Sequence, residues 1–299
     1  MANEITKFTK YLTLLDEVYK KASVTSVLDT DDSLVQEGSN AHTLKIPKVT
    51  LDGLADYSRS GGYVGGDADL SFEEKSFNYE RGRKFTVDAV DDIDTVGLMS
   101  ANVMATFLRE KVVPEVDAFR FAKYCSLAPT GNKVAETITA ANAIEKITDG
   151  VSKLDDAEVP EEDRYLFVTP AIKRMIDNLD TTKSRAILDS FDDRIYTVPQ
   201  SRFQTAIDLV GNGTGGYTSH VATASGDYNG ANINFMIVGK SALIQFAKHV
   251  VNKVVSPEDN QTSDGWMFFY RENGIAEVKD NKKAGIYVSH VAPTAYSAS

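Results

Sequence analysis

The stretch from Asp91 to Leu127 most constrains how this chain folds, because its apolar residues recur every three or four positions. They stand at Ile93, Val96, Met99, Val103 and Phe107, and the series resumes at Val112, Val116 and Phe119. This is the spacing of one buried helical face. A single helix of this length spans about 50 Å at a rise of ~1.5 Å per residue. We call it the spine helix and expect other elements to lie along it.

Pro114 stands inside the spine helix. Proline has no amide N–H, so it cannot donate a hydrogen bond to the carbonyl of Glu110. We therefore predict a bend or irregularity at Pro114. The alternative is two ordinary helices that meet there, which agrees better with typical helix lengths.

A pair of predicted strands with a glycine-rich connection precedes the spine helix. Residues 42–51 alternate in hydrophobicity around Pro47, which predicts an edge strand. A second strand is predicted over 73–88, and the connection between them contains Gly53, Gly61, Gly62, Gly65 and Gly66. Because a two-stranded ribbon alone is only marginally stable in water, we expect it to lie on another surface. The alternative is a mobile hairpin without a partner.

A basic cluster of Arg81, Arg83 and Lys84 follows the ribbon, in a chain with 43 acidic and 32 basic residues. We predict that it binds carboxylates, at least partly on a neighbouring subunit, because a guanidinium group binds a carboxylate through two parallel hydrogen bonds. The alternative is that all three side chains are solvated.

The other segments alternate between helical and strand patterns, which predicts an α+β or α/β arrangement. Residues 4–22 have a helical stripe and 23–41 are polar and acidic. The further predictions are a helix over 135–154, a strand over 164–168, a helix capped by Thr169 and begun by Pro170, and strands at 195–198, 207–210 and 233–238. Residues 242–255 fit either strand or helix. Strands over 266–270, 275–278 and 285–291 are expected to pack against the spine helix.

Charge and cysteine content exclude several classes of protein. A net charge of −11 argues against a general nucleic-acid binder, which needs clustered Lys and Arg. The single cysteine, Cys125, fits a buried thiol in a reducing cytoplasm. The sequence has no apolar run long enough to span a bilayer, so no membrane association is expected.

The signals for chemistry are weak. The loop Gly211–Gly216 lacks the Lys and Ser/Thr of a phosphate-binding loop. The four histidines have no metal-binding spacing, and no nucleophile elbow is present. We therefore expect no catalytic residue, no cofactor and no metal.

The order of elements and two local segments resemble a known family, the HK97-like major capsid proteins of tailed bacteriophages. Residues 79–88 (YERGRKFTVD) resemble the end of that family's extended loop, where it enters the spine helix. Residues 265–271 (GWMFFYR) and 281–288 (NKKAGIYV) are similar to its closing segment. The resemblance covers nearly the whole chain.

The resemblance implies an α+β fold with four parts. They are an N-terminal arm (1–40), an extended loop (41–87), a peripheral domain with the spine helix (88–132 and 241–299) and an axial domain (133–240). The extended loop would lie over a neighbouring subunit. The residues expected to contact other subunits are Gly61, Gly62, Tyr79, Arg81, Arg83 and Lys84.

The resemblance also implies a function. The protein would assemble with itself into hexamers and pentamers of an icosahedral shell, and the shell would enclose double-stranded DNA without sequence-specific binding. A separate scaffolding protein and a portal protein are expected partners, with assembly in the host bacterial cytoplasm and a final place in the virion. Two alternatives stay open: an encapsulin-type compartment shell, and a soluble oligomeric enzyme that dimerises through its ribbon.

Overall fold

We describe a computed structural model of the chain. The structure describes residues 23–30, 36–37, 43–89, 98–179 and 182–296. The helical stripe predicted over 4–22 lies outside the described residues, and so does the predicted start of the spine helix at 91–97.

The described residues form thirteen β-strands and five α-helices. The strands are β1 (Gln36–Glu37), β2 (Thr43–Leu51), β3 (Ala68–Ser76), β4 (Tyr79–Asp88), β5 (Lys133–Ala135), β6 (Arg164–Val168), β7 (Ile195–Thr197), β8 (Ile207–Leu209), β9 (Tyr217–Ser219), β10 (Ile233–Gly239), β11 (Leu243–Val255), β12 (Gly265–Val278) and β13 (Ile286–His290). The helices are α1 (Leu98–Phe107), α2 (Val113–Leu127), α3 (Ala143–Asp156), α4 (Pro170–Asn178) and α5 (Thr182–Phe191).

The spine helix consists of α1 and α2 joined by a π-helical turn over Leu108–Val112. The N–H of Val113 donates to the carbonyl of Leu108, five residues earlier. Pro114 therefore stands in the first turn of α2, where proline is favoured because its φ suits the start of a helix. A change of helix direction at Pro114 stays a prediction.

The largest sheet has the strand order β5-β13-β10-β6-β7 and lies between two helical layers. Its central strand, β10, is buried at every position, as expected of a strand covered on both faces. One face packs on α2, where Phe121 meets Phe167 and Phe203. The other face packs on α3, α4 and α5. The core of this part of the chain is thus helix on sheet on helix.

A second, antiparallel sheet has the order β11-β12-β4 and packs on the spine helix. The ambiguous segment 242–255 is strand β11. The two strands predicted over 266–278 are one continuous strand, β12. Since β4 pairs with β12 from Tyr79↔Gly274 to Asp88↔Gly265, the segment that enters the spine helix is fixed to the closing strands.

The ribbon is the antiparallel pair β2 and β3, with β1 alongside β2. The single strand predicted over 73–88 is wrong, because residues 77–78 divide it and β4 belongs to the other sheet. Asn78 gives the physical reason: its side chain donates to the carbonyl of Ala276 at 2.9 Å and accepts from the N–H of Ala276 at 3.1 Å. A side chain thus takes the place of ladder pairing at this point.

The predictions for the middle of the chain have mixed outcomes. The cap at Thr169 and the helix that Pro170 begins are confirmed, with the Thr169 hydroxyl accepting from the N–H of Ile172. The helix predicted from residue 135 begins only at Ala143, because 133–135 pair with β13 as an edge strand. Helix α5 was not predicted.

Candidate assembly surfaces

The ribbon carries most of the exposed apolar side chains among the described residues. Of thirteen large hydrophobic residues that are exposed, eight lie between positions 49 and 72. They are Val49, Leu51, Leu54, Tyr57, Tyr63, Val64, Leu70 and Phe72. Since soluble proteins rarely leave a large apolar patch uncovered, this concentration favours the prediction that the ribbon lies on another surface.

The base of the ribbon is fixed to its own subunit. Leu44 is buried against Ile244 and Ile275. Lys75 pairs with Glu73 at 2.7 Å and with Asp280 at 3.2 Å. Burial lowers the pKa of the Lys75 ammonium, but the hydrogen bonds to both carboxylates outweigh it and raise this pKa. Lys75 therefore stays charged and holds β3 to the segment that follows β12.

The tip of the ribbon, residues 52–69, has a defined shape. Ser58 and Gly62 exchange two backbone hydrogen bonds of 3.2 and 2.7 Å, and the Asp52 carboxylate accepts from the N–H of Asp67 at 2.8 Å. Gly62 has a φ of +78°, which favours glycine, whereas a Cβ at Gly61 meets only ordinary contacts with Ser58. Contact of either glycine with a neighbouring subunit stays a prediction.

Arg81 joins three parts of its own chain. Its Nε donates to Glu115 Oε1 at 2.7 Å, which ties β4 to the spine helix directly after Pro114. Its Nη2 donates to the carbonyls of Val210 at 2.9 Å and Gly216 at 3.3 Å. The carboxylate partner expected for Arg81 is therefore present within the subunit.

Arg83 and Lys84 lie on opposite faces of β4, since side chains alternate along a strand. Arg83 is exposed and donates from Nη2 to the carbonyl of Gly213 at 2.9 Å, in the same glycine loop that Arg81 binds. Lys84 is exposed on the other face, where it lines a cavity beside Lys253 and Phe269. Contact of Arg83 and Lys84 with a neighbouring subunit stays a prediction.

Tyr79 is only 5% exposed and packs inside its own subunit. Its ring meets Phe119 at a centroid distance of 5.0 Å, and its hydroxyl donates to Glu115 Oε1 at 3.2 Å. Contact of Tyr79 with another subunit stays a prediction.

A buried polar network that was not predicted centres on Asp117, in the spine helix. Asp117 is 0% exposed and accepts hydrogen bonds from Ser23 Oγ at 2.8 Å and Thr25 Oγ1 at 2.6 Å. The N–H groups of Val24 and Thr25 donate to it at 3.1 and 3.2 Å, and Arg202 Nη1 lies 3.3 Å away. Asp117 thus holds segment 23–30 and residue 202 to the helix.

Gln245 and Arg120 extend this network. Gln245 Nε2 donates to the carbonyl of Thr25 at 2.7 Å and to Asp29 Oδ1 at 2.6 Å. Arg120 Nη1 donates to Thr25 Oγ1 at 2.9 Å. An aspartate inside an apolar helical stripe is a sequence signal for such a network. The partners of Asp117 in segment 23–30 lie about 90 residues away in the sequence, so the stripe could not predict them.

His220 lies between two carboxylates near β8 and β9. Its Nδ1 is 2.7 Å from Asp208 Oδ1, and its Nε2 is 3.1 Å from Asp227 Oδ2. The hydrogen bond to Asp208, followed by that to Asp227, raises the pKa of His220. The hydrogen bond from the Thr223 N–H, followed by that from His220, lowers the pKa of Asp227.

The described residues offer little for catalysis or metal binding. Burial raises the pKa of the Cys125 thiol to about 11, which suits a structural side chain and not a nucleophile. Within the described ranges, no group of three or more His, Cys, Asp or Glu side chains could hold a metal ion. No helix in the same ranges has the length and apolar character needed to cross a membrane.

Comparison with known proteins shows the fold. No protein-family model matches the sequence, and no curated protein is significantly similar to it. The capsid structure of cyanophage P-SCSP1u is 13% identical, with a TM-score of 0.56 over 91% of this chain and 88% of that chain. The capsid structure of Staphylococcus phage Andhra is 10% identical, with a TM-score of 0.53 over 91% and 85%.

A virus-like particle from Pyrococcus furiosus is also similar, at 12% identity and a TM-score of 0.58 over 95% of this chain and 99% of that chain. These three likenesses extend over nearly the full length of the chain. The chain therefore has the α+β, HK97-like capsid fold, and the expectation drawn from the resemblance is confirmed.

Proposed function

We propose that this protein is the major capsid protein of a tailed bacteriophage and that it acts by self-assembly into a closed icosahedral shell. Copies would meet in hexamers and pentamers, with residues 133–240 as the axial domain, 88–132 and 241–299 as the peripheral domain, and 1–40 as the arm. The shell would enclose double-stranded DNA in the virion. A scaffolding protein, a portal protein and assembly in the host cytoplasm belong to the same proposal, as does the absence of catalysis.

The exposed apolar ribbon is the observation that carries this proposal. Its base is fixed to its own subunit by buried side chains and ion pairs, whereas its tip leaves Leu54 and Tyr63 108% and 92% exposed. A ribbon of this kind gains stability only when another surface covers it. A repeated contact from each copy to the next closes into rings, which is the geometry that a shell needs.

A compartment shell that holds a protein cargo is the second candidate. The observation that supports this candidate is the likeness to the virus-like particle from Pyrococcus furiosus, over 95% of this chain and 99% of that chain. Both candidates require closed shells, so they differ in content: nuclease-protected DNA in one and a protein cargo in the other.

Electron microscopy and light scattering of the purified protein test the proposal. Wild-type protein should form closed shells of uniform size, with any scaffolding partner supplied. Leu54→Asp should remain folded by circular dichroism but assemble poorly, because the side chain contacts nothing in the subunit and is expected to be covered in the shell. Leu54→Val keeps the apolar character and is the matched control. Folded wild-type protein that forms only monomers or dimers would refute self-assembly.

A further inference from the structure

A groove lies where β4, the spine helix and the glycine loop 211–216 meet. It is a cavity of about 920 Å³, within the range of ~300–1,000 Å³ that is typical of ligand sites. We call it the arginine groove. The side chains that matter here are Arg81, Arg83, Phe85, Phe107, Lys111 and Tyr270.

The arginine groove is cationic in an acidic chain. Its lining has three basic and two acidic side chains, a net charge of +1, whereas the whole chain has −11. Glu115 is engaged by Arg81 at 2.7 Å. Lys111 is exposed and has no hydrogen bond or ion pair to any described residue, and Arg83 is exposed with a bond only from Nη2 to Gly213. Lys111 and most of the Arg83 guanidinium therefore remain available to an acidic ligand.

Aromatic rings form the apolar part of the groove. Phe107 lies between Phe85 and Tyr270, with ring centroid distances of 4.7 and 5.7 Å. Phe85 and Phe107 are only half-buried. The groove thus combines an aromatic floor with cationic side chains, and it suits a ligand that is both apolar and acidic.

The tip of the ribbon has this combination. Residues 52–69 contain four aspartates and one arginine, a net charge of −3, together with exposed Leu54, Tyr57, Tyr63 and Val64. Tyr57 and Tyr63 meet edge to face with their ring centroids 5.0 Å apart. Tyr57 is 60% and Tyr63 92% exposed, and no residue of the tip lines the groove, so the tip does not occupy the groove of its own subunit.

We propose that the tip of the ribbon of one copy docks in the arginine groove of a second copy, with acidic side chains of the tip against Arg83 and Lys111. This rests on the proposed function, which supplies the neighbouring copies. Charge complementarity decides the choice of occupant, since the tip joins exposed aromatic rings to a net charge of −3. Complementary charges at such a contact determine which partner binds and in which register, and they contribute less to the affinity.

Charge reversal with rescue tests this docking. Lys111→Glu should raise the concentration needed for shell assembly at least tenfold, and so should Asp56→Lys with Asp69→Lys on the tip. Combining both sides should bring that concentration back to within threefold of wild type. Lys111→Gln is the matched control and should have a smaller effect. Assembly of Lys111→Glu at the wild-type concentration would overturn the proposal.

Cross-linking locates the contact directly. Cys125 is buried, so an added exposed cysteine reacts selectively. Tyr63→Cys subunits mixed with Lys111→Cys subunits should give covalent dimers with a short bismaleimide, and Tyr63→Cys mixed with Asp177→Cys should not.

The two proposals fail in different ways. Wild-type protein that forms no shells overturns the proposed function. Wild-type shells in which tip and groove do not cross-link overturn only the docking site, even if Lys111→Glu weakens assembly through another partner.

Discussion

Replacement of Asp117 by alanine should destabilise the subunit strongly. The fully buried carboxylate accepts from three groups in buried surroundings, the hydroxyls of Ser23 and Thr25 and the Thr25 N–H, and it pairs with Arg202. An orphaned buried donor costs ~1–3 kcal/mol, and breaking a buried charge pair costs about 3–5 kcal/mol. These costs do not add in full, because Arg202 is partly exposed and water can enter the space left. We therefore expect a total of about 3–5 kcal/mol, the size of the broken charge pair alone.

The assay is urea unfolding of the unassembled subunit, followed by circular dichroism. Asp117→Ala should lower the free energy of unfolding by about 3–5 kcal/mol, and Asp117→Asn by less, because an amide oxygen still accepts hydrogen bonds. Asp177→Ala is the control: among the described residues, this exposed aspartate pairs only with Lys173 along α4, so a change of about 0–1 kcal/mol is expected.

A loss below about 1 kcal/mol for Asp117→Ala would contradict this role of Asp117, since a loss of that size is expected of a surface residue. It would mean that segment 23–30 is not held by this carboxylate. Unfolding of Asp117→Ala in two separate transitions would instead show that the segment detaches before the rest of the subunit.

Three further predictions concern packing, pH and the spine helix. Gly150→Ala should lower the free energy of unfolding by about 1–3 kcal/mol, since its Cβ would lie 2.9 Å from Tyr287; Gly131→Ala, with open space around it, should not, and equal losses would contradict this. Because its two flanking carboxylates raise the pKa of His220, its contribution to stability is complete below its unfolded value of about 6.5 and is lost as the pH rises through the folded pKa. The difference in urea midpoint between wild type and His220→Gln should therefore shrink from pH 6 to pH 9, and a constant difference would argue against this. Pro114→Ala should change the free energy of unfolding by less than about 1 kcal/mol, because Pro114 stands in the first turn of α2, where proline is favoured; a gain of about 3 kcal/mol would show that proline is strained there.

Local sequence patterns predicted those helices, strands and caps that are determined by residues close together in the chain. The apolar stripe of the spine helix, the buried strand over 164–168 and the Thr169 cap are all short-range signals. The structure contains the strand, the cap and the spine helix over its described part, from Leu98 onwards. The strand break at Asn78 was missed because it depends on Ala276, nearly 200 residues later.

In the candidate surfaces, too, the features set by nearby residues were predicted and the long-range contacts were not. Two strands with a glycine-rich connection indicated a ribbon that needs a partner, and the structure leaves apolar side chains of that ribbon exposed. The partners of Arg81 could not be predicted, because Glu115 and the glycine loop meet it only through the packing of two sheets on one helix. The π turn before Pro114 also depends on how the helix packs.

Single-particle electron microscopy of assembled wild-type protein tests the central claim most directly. We expect closed shells with subunits in rings of five and six, in which each ribbon lies on a neighbouring copy and Leu54 and Tyr63 are covered. Folded protein that stays monomeric or dimeric, or shells in which the ribbons remain uncovered, would contradict it.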